Sequence, residues 1–443
     1  MSSLLLSGGK VASSLGQVEA DVLIEDGRIV RVEPGLGGAA DEVVDVSGLV
    51  VMPGGTDTQV HFREPGAEHK EDLATGSLGA VFGGITTTFE MPNTNPTTTT
   101  REALEDKLER AEGRSWTNYA FFVGASAENV GGLAELENAP GTPGIKIFMG
   151  SSTGTLLVPD DETLREVLRH GRRPCPVHAE DHIRLEARKS LLDPARGAGQ
   201  HPFLRDEEAA RLATERLIAL CAETGRPVHV LHVSTLQELP LLRNAKANGL
   251  PVTCEVTPQH LTLSAPDAYD RLGTLAQMNP PIRTEEHRRA LWQAVGEGLF
   301  DVFGSDHAPH TLEEKAKPYP QSPSGLTGVQ TMLPLLLDHA AQGRLSLETI
   351  VRMLCERPAS LYGIANKGRI APGYDADLAI VDPLARWTVE RSWIRSKSGW
   401  SPFEGMTLTG RVVHTLVGGR FTVRDGEPAG QPSGRMVEFD WKP

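Results

Sequence analysis

Five side chains that could bind a metal ion, or be converted into a metal ligand, lie at the ends of short apolar segments. His61 ends VMPGGTDTQVH, His178 ends PCPVH, His232 ends PVHVLH and Asp306 ends DVFGSD, while Lys146 lies inside GIKIF. Imidazole nitrogens and carboxylates are donors that zinc-like cations accept. If the segments are neighbouring parallel strands, the five residues meet at one rim. The pattern therefore predicts a metal site there.

Lys146 needs separate chemistry, because an ammonium cannot bind a cation. A buried, deprotonated lysine can add carbon dioxide and become a carbamate, whose two oxygens can bridge two metal ions. Burial shifts the pKa of lysine readily, which makes the neutral amine accessible. The alternative is a lysine whose stem packs at a strand end while its ammonium reaches water. The sequence alone leaves both interpretations open.

The remaining histidines are expected to have other roles. His229 lies three residues before His232, on the opposite side of a strand, and should pack outward against a helix. His260 and His307 lie near the predicted rim but are not expected to be ligands. Solvent exposure is predicted for those in helical or loop contexts: His170, His182, His201, His287, His339 and His414.

Short apolar strands alternate with helical patterns through the middle of the chain. YAFFVGA, GIKIFMG, PCPVHAE, PVHVLHVS and PVTCEV are separated by patterns such as EEAARLATERLIALCAETG. This alternation predicts a parallel sheet with helices outside it. Its length of roughly 300 residues fits an α/β fold of the (β/α)8 TIM-barrel type, whose chemistry lies at the carboxyl ends of the strands. An open doubly wound sheet is the alternative, but no G-x-G-x-x-G follows the first strand.

Both ends of the chain read as short strands broken by glycine turns. IEDGRIV is a hairpin pattern near the N-terminus, and GRVVHTLVGGRFTVRDGE has the same character near the C-terminus. Neither end has enough apolar surface to fold alone. We therefore predict a small β-sandwich domain made from residues 1–52 and 366–443, with the barrel in residues 53–365.

Composition excludes several classes of protein. The 443 residues carry 44 Lys and Arg against 58 Asp and Glu, a net charge of −14, which argues against a duplex nucleic-acid binder. We find no apolar run of about 18 residues, so no membrane span is expected. The apolar part of MSSLLLSGG is too short for a signal peptide. The four cysteines form no C-x-x-C pair, which favours reduced thiols in a cytoplasmic protein.

Five motifs resemble one known group of hydrolases. HFREPG, EHKED, EMPNTNP, MNPPIR and GSDHAPHT are similar to segments of the dihydroorotases of the amidohydrolase superfamily, and the resemblance covers about residues 45 to 380. Hydantoinases and allantoinases share the barrel and the metal-binding strands. Arg63 distinguishes the dihydroorotases from them, because dihydroorotate has a carboxylate that a guanidinium can bind through two hydrogen bonds.

The resemblance implies a binuclear zinc site. The first metal would bind His61 and Asp306, the second would bind His178 and His232, and a carbamylated Lys146 would bridge the two. Some relatives use a bridging aspartate in the following loop, but this loop reads MGSSTGTLL and has no carboxylate, which favours Lys146. The positions that hold substrate in relatives are Arg63, Asn93, Asn279, His310, Ser324 and Gly325.

The implied reaction is the reversible hydrolysis of the cyclic amide of dihydroorotate to N-carbamoyl-L-aspartate, a step of pyrimidine biosynthesis. A metal-activated hydroxide attacks the ring carbonyl, and Asp306 carries the proton to the leaving nitrogen. The partners expected from the resemblance are a small-molecule substrate, a second copy in a homodimer, and in some relatives aspartate transcarbamoylase.

Gln59 departs from the pattern of the relatives, which have a histidine there in a His-x-His pair. An amide oxygen is a neutral and weaker donor to zinc than imidazole. Gln59 could bind a loosened first metal, or water could replace it; only the second metal could bind; or the protein could be a non-catalytic scaffold beside aspartate transcarbamoylase. A related cyclic amidohydrolase of the hydantoinase or allantoinase type is a further alternative. Retention of the other five candidate ligands argues against the scaffold.

Overall fold

A computed structural model describes residues 3–37, 40–151 and 156–441. The MGSSTGTLL loop after Lys146 lies partly outside these residues, because 152–155 are not described. The strands in chain order are β1 (Ser3–Ser7), β2 (Lys10–Ser13), β3 (Gly16–Glu19), β4 (Asp21–Glu25), β5 (Arg28–Glu33), β6 (Glu42–Asp45), β7 (Val50–Pro53), β8 (Gly55–Val60), β9 (Ile85–Glu90), β10 (Asn118–Phe121), β11 (Val123–Gly124), β12 (Ile145–Phe148), β13 (Cys175–His178), β14 (Val228–Val230), β15 (Val252–Val256), β16 (Val302–Phe303), β17 (Leu378–Thr388), β18 (Thr407–Val417), β19 (Arg420–Arg424) and β20 (Glu427–Pro428).

Strands β8 to β16 form the barrel, and every pairing between them is parallel. β10 and β11 are one strand interrupted at Phe122, so the barrel has eight strand positions. A parallel bridge between Val60 and His307 closes it, and the His61 N–H donates to the His307 carbonyl at 2.7 Å. The barrel strands are buried on both faces, as strands covered by helices must be. The predicted (β/α)8 barrel is confirmed.

Helices connect the barrel strands and follow the last of them. They are α1 (Leu73–Phe82), α2 (Arg101–Ala111), α3 (Leu133–Leu136), α4 (Asp161–Arg169), α5 (His182–Arg188), α6 (His201–Leu204), α7 (Glu207–Thr224), α8 (Glu238–Ala247), α9 (Pro258–Thr262), α10 (Asp267–Leu272), α11 (Glu285–Gly296), α12 (Leu312–Lys315), α13 (Met332–Ala341), α14 (Leu347–Val351) and α15 (Arg357–Tyr362). In the described part of the chain, no helix is both long and apolar enough to cross a bilayer.

Helix α7 shows how the sequence sets the boundaries of a barrel helix. The Asp206 side chain accepts a hydrogen bond from the Ala209 N–H, which caps the first turn. Gly225 ends the helix with φ +71°, a left-handed conformation that glycine adopts without steric cost. The chain then enters β14 within a few residues, so the polypeptide returns to the barrel at a fixed point.

Both ends of the chain contribute to the sheets beside the barrel. A four-stranded sheet has the order β5-β4-β1-β6, and a seven-stranded sheet has the order β20-β19-β18-β17-β7-β2-β3. The second sheet joins the ends where Val50–Pro53 pairs antiparallel with 378–381. The predicted boundaries at residues 52 and 366 stay a prediction. The C-terminal segment also returns to the barrel, since Tyr119 exchanges backbone hydrogen bonds with Arg435 and Val437.

Candidate active site at the carboxyl ends of the barrel strands

The barrel brings the five predicted metal-binding residues to one rim. His61 directly follows β8, Lys146 lies in β12 and His178 ends β13, while His232 and Asp306 lie just beyond β14 and β16. Burial is the main cause of the low pKa of both His178 and His232, and the charge of Lys146 lowers both further. The charge of Asp306 in turn raises the pKa of Lys146, against the larger effect of burial. The five residues are therefore electrostatic neighbours.

His178 and His232 form a pair of facing imidazoles. Nδ1 of His178 lies 3.0 Å from Nε2 of His232, and the rings meet edge to face with centroids 4.8 Å apart. Burial lowers the pKa of both rings, so both are neutral at pH 7. A neutral imidazole is the form that binds a metal. In this contact one nitrogen donates to the other, and a metal ion that displaced the shared proton would be bound by both.

Glu180 fixes the orientation of His178. Nε2 of His178 donates to Oε2 of Glu180 at 2.8 Å, so Nδ1 of the neutral ring carries the lone pair. Arg205 donates to both oxygens of this fully buried carboxylate and to the Ser151 carbonyl. Burial opposes ionisation, but the charge of Arg205 and the hydrogen bond from His178 hold the pKa of Glu180 well below its usual range. Such a carboxylate orients a histidine ligand.

A second set of donors surrounds Asp306. Its Oδ1 accepts from Nε2 of Gln59 at 3.0 Å and lies 3.2 Å from Nε2 of His61. The other ring nitrogen of His61 lies 2.8 Å from Oδ1 of Asn93. We call Gln59, His61 and Asp306 the Gln59 group. His178, His232 and Lys146 are the Lys146 group.

Lys146 is chemically unusual for a lysine. Its side chain is 1% exposed, and its Nζ has no hydrogen-bond partner among the described residues. The centroid of the Phe148 ring lies 4.3 Å from Nζ. Burial lowers the pKa of Lys146 to about 7, so much of the amine is unprotonated at neutral pH. A neutral amine can add carbon dioxide, which an ammonium cannot.

Buried donor atoms without a hydrogen-bond partner show whether these residues fit a metal ion. Oε1 of Gln59 and Nζ of Lys146 are buried without hydrogen-bond partners in the part of the chain that the structure describes. Within the same residues, no three His, Cys, Asp or Glu side chains lie close enough to hold a metal ion. The conventional donors therefore come in pairs. The Lys146 group fits a metal if its lysine becomes a carbamate, whereas the Gln59 group needs an amide as its third donor.

Backbone strain is concentrated at this rim. Arg63, His232 and Asp306 have φ values of +68°, +36° and +44°, which non-glycine residues rarely adopt. Such conformations cost of order 1–3 kcal/mol each and persist where surrounding structure holds them. The rim is held partly by Asp57, whose Oδ1 accepts the backbone N–H groups of Gln59 and Ser305, each at 3.1 Å. The strand ends are thereby fixed beside one another.

Arg63 and His310 lie together on one side of the rim. Nε of Arg63 donates to the Pro309 carbonyl at 3.1 Å, and its Nη2 lies 3.3 Å from Nε2 of His310. His310 also contacts the Ser324 carbonyl at 3.0 Å. Burial, and then the charges of Arg63 and Lys70, lower the pKa of His310 far below its usual value. A neutral His310 therefore lies beside a charged guanidinium.

Asn279 and the Ser324–Gly325 turn line the same side. Gln277 donates to Oγ of Ser324 at 3.0 Å and accepts the Gly325 N–H at 2.9 Å. At Gly325, φ is +151° and a Cβ atom would lie 2.2 Å from the Ala308 carbonyl oxygen, so only glycine fits. Beside this turn is a cavity of about 530 Å³, whose wall includes Asn279, Arg205, Leu185, Leu192, Leu204 and Tyr319.

Four histidines that we predicted to be exposed are buried, so that prediction was wrong. They are His201, His287, His339 and His414. Each is covered by distant segments and hydrogen-bonded there. His201 matters for the site, because Nε2 lies 3.0 Å from Oδ1 of Asn279 and Nδ1 lies 3.1 Å from the Tyr319 hydroxyl. His229 contacts the Tyr362 ring of α15, but it faces the barrel interior, where its Nε2 lies 3.9 Å from Glu255. The predicted outward position was wrong, because His232 lies beyond the end of β14 at φ +36° and the alternation of sides does not extend to it.

Sequence reasoning missed three residues that support the site. Glu180 could have been found, because it lies two residues after His178 in the extended HAE segment and therefore on the same side. No feature of the sequence indicated Arg205, because it reaches Glu180 from another loop. Glu255, which accepts the His232 N–H at 3.2 Å, lies on the neighbouring strand β15.

Known proteins of similar sequence and structure match nearly the whole chain. The protein-family model described as "Amidohydrolase family" matches residues 50–422. A dihydroorotase of Methanothermobacter thermautotrophicus is 37% identical over 425 residues, 95% of this chain and 94% of that protein. An allantoinase of Rubrobacter xylanophilus is 36% identical over 444 residues, 98% of this chain and 97% of that protein. An L-hydantoinase (dihydropyrimidinase) structure from Arthrobacter aurescens is 32% identical with a TM-score of 0.93, covering 99% of this chain and 100% of that one. The chain belongs to the amidohydrolase family.

Proposed function

We propose that this protein is a dihydroorotase, which hydrolyses the cyclic amide of dihydroorotate reversibly to N-carbamoyl-L-aspartate. Dihydroorotases of Methanothermobacter thermautotrophicus and Halobacterium salinarum, both 37% identical to the chain, support this assignment. The observation that carries it is the position of Arg63. Its guanidinium is buried beside His310 at the rim of the candidate metal site, where a substrate carboxylate can meet it.

Arg63 would provide most of the affinity for the carboxylate. A guanidinium binds a carboxylate through two parallel charge-assisted hydrogen bonds, a geometry that a lysine cannot reproduce. Burial lowers the pKa of Arg63 to about 10, so the group stays charged at neutral pH. Its Nε bond to the Pro309 carbonyl fixes the plane of the guanidinium before substrate arrives. The amides of Asn93 and Asn279 and the Ser324–Gly325 turn would orient the ring.

We assign His178, His232 and a carbamylated Lys146 as zinc ligands. In the other half of the rim, His61 and Asp306, with Gln59 as the weakest donor, are the residues that the resemblance assigns to a first metal. When bound, the metal would supply Lewis acidity, polarising the ring carbonyl and lowering the pKa of a water molecule toward 7. A site with three protein donors leaves a position open for that chemistry, as catalytic zinc sites do.

Asp306 would carry the proton between the attacking water and the leaving nitrogen. Its Oδ1 is held by Gln59 and His61, so the carboxylate is oriented before the reaction. The water oxygen forms a bond to the ring carbonyl carbon, and the carbon–nitrogen bond of the amide breaks. Asp306 accepts a proton from the water and gives it to the nitrogen, so the carboxylate is regenerated. In reverse, the same steps close the ring.

The second candidate is a hydantoinase or allantoinase activity. The apolar part of the cavity wall beside Asn279 would suit a cyclic amide with an uncharged substituent. The deciding experiment compares kcat/KM of the zinc-loaded protein for dihydroorotate, dihydrouracil, hydantoin and allantoin. We expect dihydroorotate to be preferred over dihydrouracil, which lacks only the carboxylate, by at least about 100-fold. A preference for allantoin or a hydantoin would replace the proposal with the second candidate.

The third alternative is a scaffold without activity. Its expected signature is stable binding of aspartate transcarbamoylase together with no turnover of any cyclic amide after zinc loading. The intact Lys146 group and the oriented Asp306 support an enzyme instead. We further propose a cytoplasmic homodimer acting in pyrimidine biosynthesis, a location consistent with four buried and unpaired cysteines. Light scattering of the purified protein tests the dimer.

A further inference from the structure

The two donor groups differ in what they could offer a metal. The Lys146 group offers two neutral imidazoles and a buried amine with no hydrogen-bond partner among the described residues. The Gln59 group offers one imidazole, one carboxylate and one amide, and the amide turns its N–H toward the carboxylate. The two halves of the rim are therefore not equivalent sites.

The contact between Gln59 and Asp306 makes the Gln59 group a poor metal site. The N–H of the Gln59 amide points at Oδ1 of Asp306, and its dipole partly compensates the negative charge there. To present Oε1 to a metal, the amide would have to turn and give up this bond.

The Lys146 group has the opposite character. Glu180 and Arg205 hold His178 so that its unprotonated nitrogen faces His232. The amine of Lys146 can add carbon dioxide: its nitrogen bonds the carbon, one proton leaves, and an anionic carbamate remains. Two imidazoles and one anionic oxygen are a complete donor set for tetrahedral zinc with its fourth position open.

We propose that this protein holds a single tightly bound metal ion, at His178, His232 and the carbamate of Lys146. In the other half of the site, Gln59 acts as a positioning residue whose amide holds Asp306 where a first metal would otherwise bind. Asp306 then stays a hydrogen-bonded proton carrier and is not a metal ligand. The inference deepens the proposed function and rests on its assumption that the site binds zinc.

Metal stoichiometry tests the inference directly. Wild-type protein is loaded with zinc in the presence of bicarbonate and then dialysed. Elemental mass spectrometry gives the zinc content per chain, and mass spectrometry of the intact chain gives its mass. We expect about one zinc per chain and a mass increase of one carbon dioxide. Gln59→His should retain a second zinc, because an imidazole replaces the amide. Retention of two ions by wild type, or of none, overturns the proposal, as does failure of Gln59→His to retain a second.

Two further variants locate the ion. His178→Ala should lose it, whereas His61→Asn, a change in the other half of the rim, should keep it. The reverse pattern would overturn the assignment. Thermal unfolding of each variant shows whether it is folded, so a loss of metal through misfolding is recognised. Because an unfolded His178→Ala would not decide the matter, His232→Gln provides the same test by a gentler change.

The positioning role of Gln59 is tested by the kcat of its variants. Gln59→Leu removes the amide but keeps a similar volume, so it should keep one zinc and an unchanged KM while kcat falls about 10-fold or more. Gln59→Glu would instead place a carboxylate against Asp306, and should lower kcat further. Unchanged kcat in Gln59→Leu would refute the positioning role.

The outcomes separate this inference from the proposed function. Stoichiometry is measured without substrate, so a protein that holds one ion but does not open dihydroorotate contradicts only the proposed function. A protein that turns over dihydroorotate with two retained ions contradicts only the inference.

Discussion

Nε2 of His178 donates a 2.8 Å hydrogen bond to Glu180, and this contact determines which nitrogen of His178 can bind a metal. The opposite nitrogen, Nδ1, is left facing His232. Because Arg205 keeps Glu180 ionised, the acceptor is a full carboxylate. The orientation of the ligand is thus set by residues that need not touch the metal.

Replacing Glu180 should weaken metal binding more than it weakens the fold. In Glu180→Gln the neutral amide can no longer hold the His178 ring as a charged acceptor does, so we expect zinc affinity to fall about 10- to 100-fold. Competition with a chromophoric chelator measures it. Glu215→Gln, which neutralises an exposed carboxylate on α7, is the matched control and should leave affinity unchanged. Equal affinities in the two variants would contradict the role of Glu180.

Removing the guanidinium of Arg63 should change specificity for the carboxylate. Arg63→Met keeps the stem of the side chain, so we expect kcat/KM for dihydroorotate to fall about 100-fold or more while that for dihydrouracil changes little. Steady-state kinetics on both substrates measure the effect, and Arg31→Met, on the exposed surface of β5, is the control. A parallel loss on both substrates would show that Arg63 supports the fold and does not bind the carboxylate.

Asp306→Asn keeps the shape of the carboxylate but removes its basicity. We expect kcat to fall about 10²- to 10⁴-fold, the usual contribution of a positioned acid–base group. Zinc content should stay at the wild-type level, because the further inference places Asp306 outside the metal's donors. Loss of zinc from this variant would mean that Asp306 is a ligand.

The buried amine of Lys146 should make the stability of the metal-free protein depend on pH. Burial lowers the folded-state pKa from 10.5 to about 7, so between these values the unfolded chain binds more protons than the folded one. The contribution of Lys146 to the free energy of unfolding therefore rises with pH across this window, by up to about 1.4 kcal/mol per pH unit.

Urea unfolding at pH 7.5 and 9.5, with chelator and without carbon dioxide, measures this slope. Lys146→Met fills the same space without a titrating group, so the difference in unfolding free energy between wild type and Lys146→Met should move in favour of wild type as pH rises. A difference that is independent of pH would show that Lys146 is not held as a neutral amine.

Residues at strand ends could be predicted from the sequence because parallel strands bring their carboxyl ends to one rim. His61, His178, His232 and Asp306 were placed by this rule, and Lys146 by its position in a short apolar strand. Burial of His201 could not be predicted in this way, because its cover comes from Tyr319, 118 residues further along the chain. The same limit applies to Arg205, whose partner Glu180 lies on a different loop.

The role of Gln59 also needed the structure. Its side-chain type indicated a weaker metal donor than histidine, but only the 3.0 Å bond from Nε2 to Asp306 shows that the amide has a partner of its own. Sequence therefore identified the position, and geometry supplied its interpretation.

Titration of the metal-free protein with zinc, in bicarbonate, while dihydroorotate ring opening is followed, tests the central claim most directly. We expect the rate to rise in proportion to bound zinc, to reach its maximum at about one ion per chain, and to stay near zero throughout for His178→Ala. A rate that is independent of zinc, or a loaded protein that leaves dihydroorotate intact, would contradict the account.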